Sequence, residues 1–127
     1  MFESLKNDVS GLAILKEWLG EDGRPVSTFD ACRRSYTCHK CSEHRPAKWW
    51  EWAKNKVARA IKKHLEVKHQ IGLKVDLEES LGMCKACGCC VRLKIWVPLK
   101  HIEAHQTAEV WAKLPSNCWM LREKEKQ

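Results

Sequence analysis

Cys84-Lys85-Ala86-Cys87-Gly88-Cys89-Cys90 holds four of the chain's eight cysteines in seven residues, and Cys118 follows beyond an apolar stretch. Thiolates crowded this tightly point to a metal. A Cys-x2-Cys turn lets both sulfurs converge on one ion, at about 2.3 Å each for zinc. Gly88 lets the backbone curl around the bound centre. The fold expected from this stretch is mainly α with a small β element, organised around one or two cysteine-rich metal centres.

The densest ligand set is Cys84, Cys87, Cys89 and Cys118. One turn supplies two sulfurs, the next a third, and the chain returns with the fourth. Four cysteines fit tetrahedral zinc, the leading expectation, and also ligate a [4Fe-4S] cluster. A second knuckle, Cys38-His39-Lys40-Cys41, follows Cys32 by six residues. Its fourth place is open to Cys90, His39 or His44. Cys90 is preferred because the C-terminal cluster has one cysteine more than a single four-thiolate site needs. The second site is therefore read as Cys32, Cys38, Cys41 and Cys90. The competing reading is one site, with Cys32 and Cys90 in the core.

Disulfides are the other use of eight cysteines. The N-terminal residues carry early acids and no apolar core of a signal peptide, and no stretch approaches the roughly 20 apolar residues of a membrane span. An intracellular, reducing location is expected, with no membrane contact, and thiols there serve metals. Ser42 follows the Cys38–Cys41 pair where a haem-attachment motif needs His. A redox-active pair lacks its βαβ context.

The chain has 127 residues, one domain's worth, with 44% hydrophobic residues and seven Trp. A single domain over 1–127 is expected, its N-terminal helices and Cys38-x2-Cys41 knuckle packed on the cysteine-rich subregion 82–120. The formal charge of +7 invites nucleic acid. Eight thiolates on two divalent ions would reduce it to about +3, a mild bias.

Apolar residues Val9, Leu12, Leu15, Trp18 and Leu19 recur at helical spacing, with Gly20 as the stop. Ser27-Thr28-Phe29-Asp30 resembles a capping box and opens a helix to about Tyr36. The longest helical pattern runs from about Ala47 to His69, with Trp50, Ala53, Val57, Ile61, Leu65 and Lys68 on one face. A short acidic helix is expected over Asp76–Leu81. Val91, Leu93, Ile95 and Val97 alternate with Arg92, Lys94 and Trp96, which predicts a half-buried strand ending at Pro98. One helix is expected over His101–Leu114, and a frayed tail over Glu123–Gln127.

His101 and His105 stand at i, i+4, a spacing that can chelate zinc but more often marks a solvated helix face. His64 and His69 read as helix surface. Trp49, Trp50 and Trp52 are expected to cover a metal centre or a partner surface rather than stack on bases. No nucleophile–base set, Gly-rich phosphate loop or paired-carboxylate motif is visible. A metal closed by four protein ligands has no position for substrate, so no enzyme is expected.

Cys84-x2-Cys87-x-Cys89, Leu93-Lys94-x-Trp96-x-Pro98-Leu99-x-His101-Ile102 and Leu114-Pro115-x2-Cys118-Trp119 together form a pattern. With Trp18-Leu19-Gly20-x2-Gly23-x-Pro25-Val26 and the Cys38-x2-Cys41 knuckle, it resembles small cysteine-rich proteins of tailed bacteriophages and prophages. The resemblance implies an origin more than an activity, and Cys90 is an addition to the pattern. The expected role is a non-enzymatic, metal-binding protein acting through protein contacts, with other phage structural proteins as partners and the virion as a location. The alternatives are a nucleic-acid-binding or transcription-modulating zinc module and a small iron–sulfur redox protein.

Overall fold

Helical spacing near the N-terminus folds as the sequence indicates. The computed structural model describes residues 2–126, with side chains described for residues 11–51 and 53–126. Helix α1 (Phe2–Gly20) buries Ile14 and Trp18, whose indole donates to the Arg24 carbonyl at 2.9 Å. The left-handed residues that turn the chain are Asp22 and Gly23, beyond the Gly20 stop. Helix α2 (Thr28–His39) opens on Ser27, whose hydroxyl accepts from the Asp30 N–H at 3.1 Å. That cap satisfies one of the free N–H groups of the first turn. The Asp30 carboxylate goes to Arg33 rather than back to the cap.

A short strand β1 (His44–Arg45) follows, then a 3-10 turn at Trp49–Glu51 and helix α3 (Trp52–His69). Strand β2 (Met83–Cys84) pairs antiparallel with β1, His44 opposite Cys84 and Arg45 opposite Met83. Helices α4 (Val91–Lys94), α5 (Leu99–His105), α6 (Ala108–Lys113) and α7 (Trp119–Glu125) complete the described chain. The fold is mainly helical with one small two-stranded sheet, and none of its described helices is long and apolar enough to cross a membrane. Trp18, Leu65, Ile95, Trp96 and Ile102 lie at the centre of the core. Helix α5 lies along α1.

Five local expectations are corrected. Val91–Val97 is not a strand. Val91, Leu93, Lys94, Ile95, Trp96 and Val97 are all buried, where alternation would expose every second one. The Lys94 N–H reaches back to the Cys90 carbonyl at 3.1 Å, and Ile95 to Val91 at 3.2 Å, so the segment is a helical turn wrapped by core on all sides. The helix expected over His101–Leu114 breaks at Gln106, because the Thr107 hydroxyl caps a new one through the Val110 N–H. The acidic segment forms only a 3-10 turn, Glu78–Ser80.

Helix α3 buries Leu65 of the expected stripe, but with Ala58 and Lys62, while Trp50, Ala53 and Val57 of that stripe are exposed. The buried Lys62 ammonium is paired with Glu78, which rotates the helix away from its most apolar face. The tail is helical through Glu125, because the Glu123 carboxylate binds Arg33 and Arg34, and Gln127 lies outside the described residues.

The sheet is short, and backbone proximity sets it. Gly82 donates its N–H to His44 Nε2 at 2.9 Å, and its carbonyl accepts from Val91 at 2.9 Å. A Cβ at this position would strike the Arg45 carbonyl oxygen and stand 3.0 Å from Pro46 Cα. Both are backbone and cannot swing aside. Gly82→Ala should therefore separate β1 from β2 and destabilise the protein by about 1–3 kcal/mol, the usual cost of overpacking. An unchanged urea midpoint would show that the two strands do not depend on this approach.

Beyond β1, Glu51 accepts from both terminal nitrogens of Arg45, at 2.7 and 2.8 Å, and from the Lys48 N–H at 2.8 Å. The Arg45 hydrogen bonds hold the Glu51 carboxyl down to about 2. This clamp fixes the direction in which the chain leaves the strand.

Candidate metal centre

Two Cys-x2-Cys turns meet across the small sheet. The first closes through the Cys41 N–H to the Cys38 carbonyl at 3.1 Å, and the Glu43 N–H points at Cys41 Sγ at 3.4 Å. The second closes through the Gly88 N–H to the Cys84 carbonyl at 2.7 Å, and Cys84 in turn donates to the Cys89 carbonyl at 3.1 Å. Gly88 has φ +72°, a conformation that suits glycine. The Lys85 N–H bonds the Glu43 carbonyl at 2.8 Å, so the turns are tied to each other as well as closed on themselves.

The result is one cavity of about 30 Å³ with Cys38, Cys41, Cys84, Cys87 and Cys118 on its wall. That is the scale of a water molecule or a small ion. The cysteines expected in two separate sets are thus mixed. Cys38 and Cys41 share this cavity with Cys84, Cys87 and Cys118. Cys89 and Cys90 instead line a groove on the other side of α4. Cys90 Sγ bonds Asn55 Oδ1 at 3.3 Å, and Cys32 packs partly buried against the core. His44 lines the cavity too, but its Nε2 already accepts from Gly82. Among the described residues, no three sulfurs lie within 4.8 Å of one another.

Electrostatics around the cavity are polarised. Burial pushes the Cys38 thiol up to about 12, against a lowering hydrogen bond from the Trp119 indole at 3.1 Å. Burial also raises Cys118. Cys87 moves the other way. Hydrogen bonds from Cys84 and Cys89 favour its thiolate, and the Lys94 charge adds to them. Cys84 and Cys89 are raised in turn, chiefly by sharing with Cys87. Lys94 is buried, and burial alone would lower its pKa; the facing sulfurs Cys87, Cys89 and Cys84 outweigh that and raise it. Its ammonium also donates to Gln106 Oε1 at 2.9 Å. The cluster therefore carries its own buried counter-charge.

Sequence reasoning missed Lys94, Gln106 and Trp119. The alternating pattern places Lys94 on the wet side of a strand. Its signal was position alone: one lysine between Leu93 and Ile95, four residues after a cysteine pair. Trp49 and Trp50 do not cover the cavity. They are 82% and 57% exposed and stack edge to face, with Lys48 over Trp50. The indole beside the sulfurs is Trp119, with the Arg34 guanidinium over its ring at 4.1 Å. The side chain of Trp52 lies outside the described residues.

No protein-family model, curated protein or solved structure matches the chain. The case for function rests on the cavity and on the surface around it.

Proposed function

We propose that the protein is a metal–thiolate-stabilised module that acts through protein contacts and catalyses no reaction. The observation that carries this reading is the convergence of both Cys-x2-Cys turns and Cys118 on one ion-sized cavity. The donor set fits a thiophilic metal. Cys38, Cys41, Cys84, Cys87 and Cys118 offer more than the four sulfurs that a closed zinc site uses. Four thiolates around a divalent ion leave net negative charge, and Lys94 is placed to offset it. A metal held there would join segments far apart in the chain, so its binding energy would be folding energy.

A specific observation supports an iron–sulfur cluster as a second reading. Tetrahedral zinc with bonds of about 2.3 Å sets its sulfurs ~3.8 Å apart. The described sulfurs stand wider as a group. A [4Fe-4S] cluster places iron and sulfide between its thiolates and suits a wider ring.

Protein contact is supported by the surface. Trp49, Trp50, Leu12 and Val57 are exposed, and an apolar groove of about 390 Å³ runs between α1 and α3. Apolar surface of this kind marks interaction sites. The resemblance to tailed-phage proteins extends the proposal to a virion component.

The deciding experiment is elemental analysis with an absorbance spectrum, on protein purified without air. Zinc near one equivalent per chain and no visible colour is the expected result. Iron with sulfide and a brown colour would select the cluster. Protein free of both, yet folded, would overturn the proposal.

A further inference from the structure

We infer that the α1–α5 interface carries a second metal site, of oxygen and nitrogen ligands, separate from the thiolate cavity. Its residues are Glu17 and Glu21 on α1 and His101 and His105 on α5. Each pair is spaced i, i+4, so one helical turn presents both side chains on one face. Helix α5 lies along α1, which brings the two pairs together.

The geometry is convergent. His101 Nδ1 is 2.7 Å from Glu17 Oε2 and 3.6 Å from Glu21 Oε2. His105 Nε2 is 3.2 Å from the other oxygen of the same Glu17 carboxylate. The ligand atoms of Glu17, Glu21 and His101 all lie within 4.8 Å of one another, the only such trio of His, Cys, Asp or Glu among the described residues. His101 is 2% exposed, so its ring is fixed by packing. His105 and Glu17 are about one-third exposed and Glu21 more so, which leaves an entry path from solvent.

Two imidazoles and two carboxylates are a borderline donor set. They suit divalent zinc, cobalt, nickel or manganese and lack the soft sulfur that selects the other centre. Glu17 and Glu21 bring two carboxylates to the site, and a divalent cation there would offset their negative charge. The flanking cation is Lys100, whose ammonium is 3.4 Å from Glu21 Oε1 and is mostly exposed, so it can move aside. Protonated imidazoles would use the same atoms in a plain ion-pair cluster, and that alternative predicts no metal uptake.

Cobalt(II) separates this site from the thiolates. On oxygen and nitrogen it gives weak visible bands, whereas thiolates add intense sulfur-to-metal charge transfer. The expected result near neutral pH is one equivalent with the weak spectrum alone, beyond any bound with charge transfer. His105→Ala and Glu21→Gln lie at the solvent edge and should keep the helical circular dichroism. Each should weaken the weak-band uptake by at least tenfold, the scale on which loss of a supporting group acts. Wild-type protein that never shows the weak-band equivalent, or variants that bind it as tightly as wild type, would overturn the site.

Discussion

On the proposed metal centre, Cys87→Ser should release the ion and unfold the cysteine-rich half of the chain. Cys87 is 4% exposed, sits on the cavity wall, and is the sulfur whose pKa the hydrogen bonds from Cys84 and Cys89 pull down. Structural zinc contributes about 10–16 kcal/mol of apparent folding free energy in small zinc domains at neutral pH. A whole domain is stable by only about 5–15 kcal/mol. Binding energy of that size matches the whole stability of a domain, so its loss suffices to abolish the transition. Serine also takes from buried Lys94 the sulfur that does most to raise its pKa, a second penalty in the same place. The control is Cys90→Ser, whose sulfur bonds Asn55 across a groove and faces away from the cavity. It should keep its metal and melt near the wild type. Metal content by elemental analysis and melting by circular dichroism read both variants. A Cys87→Ser protein with full metal and an unchanged melt would remove Cys87 from the centre.

Much of the architecture was legible in the sequence, for identifiable reasons. Helix α1 is marked by period-3.6 apolar spacing and α2 by a serine cap, both local signals. The knuckles are marked by Cys-x2-Cys spacing, also local. The readings diverged where tertiary surroundings decide. Val91–Val97 alternates, but its polar members Lys94 and Arg92 have internal partners. Lys94 faces sulfurs and Gln106, and Arg92 donates to the Leu81 carbonyl at 3.0 Å. A buried charge with a distant partner looks like a surface charge in one dimension. The same applies to α3, where Lys62 is inside and Val57 outside because Glu78 waits sixteen residues on.

Ligand grouping was hidden for a related reason. Spacing tells which cysteines share a turn and says nothing about which turns share a cavity. The β1–β2 pairing brings the Cys38–Cys41 turn to the Cys84–Cys87 turn. Two-residue strands carry too little periodicity to be read ahead of the structure. His101 failed as a surface residue because its partners, Glu17 and Glu21, are about eighty positions away.

Arg34→Met should cost about 3–5 kcal/mol, the range for breaking a buried ion pair from one side. Arg34 is 2% exposed, and all three of its guanidinium nitrogens are engaged. Nη1 donates to the Ile95 and Val97 carbonyls, both at 2.9 Å. Nε and Nη2 form a fork on Glu123, at 2.9 and 2.7 Å. The two carbonyls belong to the segment just after α4 that no sheet or helix satisfies, and methionine would leave them without a donor and the Glu123 carboxylate with Arg33 alone. Arg34→Lys should recover little, because a single ammonium cannot hold the fork and both carbonyls at once. The effect should also reach the metal. Arg34 stacks on Trp119, and Trp119 donates to Cys38 at the start of the helix that Cys118 opens. Freed of Arg34 and of the Glu123 anchor, α7 should fray and admit water to the sulfurs. The expected signature is a melting temperature lower by ~10 °C or more, with metal lost to a chelator faster than from wild type. A lower melting temperature with unchanged chelator kinetics would confine Arg34 to the fold and uncouple α7 from the centre.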